Sequence, residues 1–221
     1  MPVAAIILDM DGLMVDTEPL YKIAWQQASS EVGFDLDDRR YAMIVGRTMA
    51  GCERVLVEEF GPGFPVERVR ERRPVLWREE VERSGVQPKA GLLELLAFAD
   101  THGLATAVAT STNAETAAFT LGRAGLAGRI STVVTGDQIA HSKPAPDIYL
   151  EAARRLGVQP ADCVAFEDSE AGALSIANAG MCGILVPHWP ASDLAMRTAF
   201  RVVDSLYDGC DVLASLLGAR V

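Results

Sequence analysis

Val3-Ala4-Ala5-Ile6-Ile7-Leu8 runs directly into Asp9-Met10-Asp11-Gly12. An uninterrupted aliphatic run of this length, closed by a glycine, reads as a strand buried on both faces of a parallel sheet. Its exit carries two carboxylates. Alternate side chains of an extended backbone point to the same side, so Asp9 and Asp11 can share one ligand, and Gly12 permits the sharp turn that follows. Like charges set close together in a half-dry place are costly unless a cation or a shared proton relieves the repulsion. The end of the first strand therefore points to chemistry.

Outward from this strand, short apolar runs at 104–110, 132–135, 163–166 and 183–186 read as further buried parallel strands. Between them, 92–102, 114–124, 147–156 and 170–179 carry apolar residues at helical spacing, with glycine placed after each as a C-cap. Strand and helix alternate, which predicts an α/β fold: a doubly wound, Rossmann-like parallel sheet. The stretch 17–85 breaks the rhythm and reads as helices at 20–32, 51–60 and 66–83, with Gly61-Pro62-Gly63 between the last two. The expected division is an α/β core from 1–16 and 86–221, with 17–85 inserted as an all-helical cap. Ligands of open parallel sheets bind beyond the carboxyl ends of the strands, and the insertion leaves just after Asp11, where it is placed to act as a lid.

Of the 221 residues, 49% are hydrophobic and 23% charged, as expected of a globular chain with a sizeable core. A formal net charge of -10 argues against nonspecific attraction to nucleic acid or anionic lipid. The N-terminal apolar stretch is too short for a secretory core or a membrane span, so a cytoplasmic protein with neither nucleic-acid nor membrane partner is expected, monomeric or a weak homodimer. Cys52, Cys163, Cys182 and Cys210 show no metal-ligand spacing and read as free thiols.

The chain resembles the haloacid dehalogenase superfamily, in particular its helical-capped phosphatase and β-phosphoglucomutase-like branch. The likeness rests on motifs in family order: Asp9-Met10-Asp11-Gly12 running into Val15-Asp16-Thr17-Glu18-Pro19; Thr110 at the end of a strand; Lys143 in Ser142-Lys143-Pro144-Ala145-Pro146; and Glu167-Asp168-Ser169 with Gly172. The resemblance implies a phosphatase acting on a small phosphorylated metabolite. Asp9 would be the nucleophile, forming an aspartyl-phosphate, and Asp11 the acid that protonates the leaving alkoxide and later activates water. Mg²⁺ would be held by Asp9, the main-chain carbonyl of Asp11 and Asp168, with Glu167 joining directly or through water. Lys143 would offset the charge of nucleophile and phosphate, and Thr110 would offer a hydroxyl to a phosphoryl oxygen. Gly12, Ser111 and Asn113 are the accompanying candidates for phosphate binding, with Ser111 a rival to Thr110, and Ser111, Thr112 and Asn113 are also ordinary helix-start residues.

In the inserted region, Gly46-Arg47-Thr48 resembles the specificity loop of capped relatives, which makes Arg47 a candidate contact to substrate. Arg68, Arg70, Arg72, Arg73 and Arg78 read first as a solvated helix face. Tyr21 occupies the place where β-phosphoglucomutases carry a histidine that restrains the acid, so hydrolysis is expected over phosphomutase chemistry, the alternative. A haloacid dehalogenase proper lacks the second acid of the pair, and a phospho-receiver module is shorter and has no helical insertion.

Overall fold

The structure, a computed structural model, describes residues 3–47, 49–188 and 190–218; Thr48 of the expected specificity loop lies outside them. Two compact units result, one made by the chain up to Asp16 together with everything from Gln87 onward, the other by Thr17–Val86.

In the first unit, β1 (Ala5–Leu8) is fully buried. The helical unit then intervenes, and the chain returns through α5 (Leu92–Thr101), β2 (Ala105–Thr110), α6 (Ala114–Arg123), β3 (Thr132–Thr135), α7 (Asp147–Leu156), β4 (Cys163–Glu167), α8 (Glu170–Asn178), β5 (Cys182–Leu185), α9 (Asp193–Thr198), β6 (Arg201–Val202) and α10 (Leu206–Gly218). Among the described residues the strands form one parallel sheet in the order β3-β2-β1-β4-β5-β6. The winding reverses at β1, whose partners are β2 on one side and β4 on the other. That reversal opens a crevice at the carboxyl ends of the three strands, the place where doubly wound sheets bind ligands.

The expected strands all form, with ends shifted by at most two residues. β6 and the last two helices carried no forecast: β6 is only two residues long and exposed, so it has no apolar run to read. The core is aliphatic. Ile7, Ala107, Ala109, Val134, Ile148, Ala152 and Ala165 pack together without solvent exposure, and each large aliphatic side chain removed from water contributes roughly 2 kcal/mol.

The helical unit consists of α1 (Glu18–Glu31), α2 (Asp38–Ala42), a short helix that the apolar periodicity did not reveal, α3 (Met49–Phe60) and α4 (Val66–Ser84). Aromatic rings pack within it: Phe34, Phe60 and Phe64 contact one another with ring centroids 5.1–5.3 Å apart, and Tyr21 stacks on Trp77 at 5.5 Å. The arginine-rich helix is largely spoken for. Arg70 makes a forked pair with Glu53 at 2.5 and 2.6 Å, Arg72 pairs with Glu31, and Arg73 lies over the faces of Tyr21 and Trp25. No helix among the described residues is long and apolar enough to cross a membrane, and the four cysteines are free thiols.

Candidate active site

β1 delivers Asp9 to the crevice because its last ladder contact continues one residue further, Asp9 N donating to Phe166 O at 3.0 Å. The chain then turns back on itself: Met14 N and Val15 N both donate to Met10 O, and Gly12 N to Val15 O. Gly12 makes the turn at φ 84°. A Cβ there would sit 2.1 Å from Asp168 Oδ2, so the bare backbone of Gly12 forms one wall of the Asp168 pocket.

Lys143 reaches the same point from the loop after β3. Its side chain is 7% exposed, and the ammonium donates to Asp9 Oδ1 at 2.5 Å, to Glu167 Oε1 at 2.5 Å and to Ala109 O at 3.2 Å. The ring of buried Tyr149 lies 5.1 Å from Nζ, and its hydroxyl donates to Glu167 Oε1 at 3.1 Å. Glu167 Oε2 accepts from Asp168 N, Ser169 N and Ser169 Oγ, each at 2.9 Å. Both Glu167 oxygens are thus engaged within the protein, where they orient Lys143 and the start of α8.

The electrostatics follow from burial. Burial pushes Asp9 up to about 8, against the pull of Lys143 and with help from Glu167. Asp168 is raised well above the carboxylate range by burial, then by Glu167 and Asp9. Burial acts on Glu167 in the same sense, but the Lys143 ammonium and the Ser169 donors prevail and hold it below its ordinary value. Burial would lower Lys143; Asp9 and Glu167 hold its affinity for the proton well above the usual value. One ammonium does not balance three acids, so the group must retain a proton or take up another cation.

Carboxylate oxygens of Asp9, Glu167 and Asp168 lie within 4.8 Å of one another. An all-oxygen set at this spacing, with an unbalanced negative charge and a pocket kept open by Gly12, fits a hard divalent ion.

Asp11 is half-buried, and its side chain is not part of this cluster of three. Its Oδ2 accepts from Thr112 Oγ1 at 2.8 Å and, more distantly, from Thr110 Oγ1 at 3.4 Å. Thr110 is buried at the end of β2. Ser111 is exposed, and Asn113 uses its side-chain oxygen to cap α6 by accepting from Thr116 N at 3.0 Å. Arg47 belongs to the helical unit, where it is exposed and donates from Nε to Met43 O at 2.7 Å. Thr112 and Tyr149 are the side chains that sequence reasoning did not place at the site. Thr112 was readable only as a helix-start residue, and Tyr149 sits on the apolar stripe of α7, indistinguishable there from core.

Comparison with known proteins gives one consistent result. Residues 3–180 match the family model of haloacid dehalogenase-like hydrolases. Protein CbbY of Rhodobacter capsulatus is 34% identical over 203 residues, 85% of this chain and 86% of that protein. A fructose-1-phosphate phosphatase of Escherichia coli is 32% identical over 182 residues, 80% of this chain and 93% of its own. A Thermotoga maritima crystal structure carrying a β-phosphoglucomutase designation is similar at TM-score 0.82 and 29% identity, covering 96% of this chain and 99% of that one.

Proposed function

The chain belongs to the haloacid dehalogenase-like hydrolases, in the β-phosphoglucomutase-like branch, and is a phosphoric monoester hydrolase; we propose that it removes phosphate from a small phosphorylated metabolite, a sugar phosphate in the first instance, through an aspartyl-phosphate on Asp9. The observation that supports this most directly is the convergence of Asp9, Lys143 and Asp168 at the carboxyl ends of neighbouring strands. The fructose-1-phosphate phosphatase activity named for one relative supports the sugar-phosphate class.

In this reading a carboxylate oxygen of Asp9 attacks phosphorus as the ester P–O bond breaks, and Asp11 gives its proton to the departing alkoxide. Asp11 then takes a proton from the water that attacks the aspartyl-phosphate, which releases inorganic phosphate and regenerates Asp9. Lys143, fixed by Glu167 and the Ala109 carbonyl, holds positive charge against the nucleophile throughout. Asp9 and Asp168 would hold Mg²⁺, with Glu167 beside them; the ion would screen the approach of an anionic ester to an acidic site. Choice among metabolites is assigned to side chains of the helical unit such as Arg47. Tyr21, in place of a restraining histidine, supports hydrolysis over mutase chemistry.

The test is a panel of phosphorylated sugars and p-nitrophenyl phosphate, with and without Mg²⁺, assayed for free phosphate and for isomerised product. Multiple turnovers that require the metal and release phosphate are expected. Isomerised sugar phosphate as the main product would establish the mutase, and phosphate uptake that stops at one equivalent would overturn catalysis altogether.

A further inference from the structure

We infer that Thr112 is a positioning residue: its hydroxyl, backed by that of Thr110, holds the Asp11 carboxyl group in the orientation from which it protonates the leaving group. The inference rests on the assignment of Asp11 as the acid. The terminal torsion of an aspartate is broad and roughly two-fold, so nothing internal to Asp11 decides which oxygen faces which way. The hydroxyl of Thr112, with that of Thr110 behind it, favours one orientation. Both converge on Oδ2, Thr112 at 2.8 Å and Thr110 more distantly at 3.4 Å, which commits that oxygen as an acceptor and fixes the plane of the carboxyl group.

Thr112 can do this because its own position is fixed from several directions. Its N–H donates to Thr110 Oγ1 at 3.1 Å, and its carbonyl accepts from Gly136 N at 3.0 Å, which ties the turn after β2 to the end of β3. At Gly136 a Cβ would lie 2.2 Å from the Ser111 carbonyl oxygen, so the two backbones approach as closely as glycine allows. Ala114 N donates to Asp137 Oδ1 at 3.1 Å, and Asn113 caps α6 immediately beyond. A hydroxyl on so restrained a turn sets the direction of the carboxyl it touches. Small misplacements of a reacting group are costly, on the order of a hundredfold for an ångström.

The experiment compares wild type, Thr112→Val, which keeps the shape without the hydroxyl, and Thr112→Ser, which keeps the hydroxyl. Values of kcat/KM with Mg²⁺ are measured for aryl phosphates of rising leaving-group pKa and for an alkyl phosphate. Phenolates with nitro groups leave with little proton assistance, and alkoxides need it. T112V is therefore expected to lose roughly tenfold or more on the alkyl ester, with p-nitrophenyl phosphate kept within about threefold, and T112S is expected to restore most of the loss. Thermal midpoints close to wild type show that the variants fold; should T112V fail to fold, T112A gives the same contrast with T112S. An equal loss on both esters, or T112S as poor as T112V, overturns the inference. A wild-type protein that hydrolyses none of these esters overturns the hydrolase reading itself, and the role of Thr112 falls with it.

Discussion

Lys143 Nζ lies 2.5 Å from Asp9 Oδ1, although 134 residues separate them along the chain. The same ammonium is equally close to Glu167. It is the one cation in direct contact with this acidic group among the described residues, and both of its carboxylate partners are buried with it.

Removing that ammonium leaves two buried carboxylates without their partner. Lys143→Met should destabilise the metal-free protein by about 3 kcal/mol or more, the usual cost of breaking a buried pair from one side. Urea unfolding with and without Mg²⁺ checks it: part of the loss should return when the metal is present, and an unchanged midpoint would mean that the acids are neutral without Lys143.

Asp9→Asn removes the proposed nucleophile and keeps the shape. Phosphate release should fall by at least about a thousandfold while the far-ultraviolet dichroism stays that of wild type. Appreciable remaining turnover would exclude Asp9 as the attacking group.

The pH dependence has a definite sign. An acid whose folded-state affinity for protons is raised contributes stability that is present below its unfolded value and is lost as pH rises through its folded value. For Asp9 that window runs from the ordinary 3.8 to about 8. Acids at the surface act in the opposite sense, so the useful quantity is the stability of metal-free wild type minus that of Asp9→Asn, which should decrease steadily across the window. Mg²⁺ should stabilise wild type most at the alkaline end, where the site is most anionic. A difference that is flat with pH would contradict the burial effect at Asp9.

Gly12→Ala would place a methyl group against Asp168 Oδ2 and force a side chain to adopt φ 84°. The apparent affinity for Mg²⁺ should fall by about tenfold or more, as it does when the support of a ligand is disturbed. Titration calorimetry with MgCl₂ provides the measurement, and unaltered affinity would remove Asp168 from the ligand set.

Asp11→Asn should slow alkyl phosphates far more than p-nitrophenyl phosphate in kcat/KM, because only the former need a proton on departure. A uniform loss across leaving groups would point to binding instead of acid catalysis.

Much of the site was legible because each of its main residues ends a periodic segment. Asp9 follows β1, Thr110 closes β2, and Glu167 closes β4, each at the point where an apolar run meets polar residues. Lys143 sits between a strand and a helix start, followed by two prolines. What was not legible depends on where loops meet. Nothing in the spacing between Asp11 and Thr112 announces a hydrogen bond, because the turn after β2 is aimed by its contacts with Gly136 and Asp137 on another loop. Tyr149 occupies a helix position that burial alone would explain, and only the path of the 143 loop brings an ammonium over its ring.

The amino-acid order by itself determined the alternation of strands and helices, the inserted helical stretch and the acidic exit of the first strand, since periodicity and turn chemistry are local properties of a chain. Tertiary structure alone decided how the charges are shared: that Glu167 spends both oxygens on Lys143, Tyr149 and its neighbours, and that a threonine from a distant turn bonds Asp11. Such partnerships depend on distances of a few tenths of an ångström between segments far apart in sequence, and hydrogen-bond strength falls off too steeply with distance and angle for pattern to foretell it.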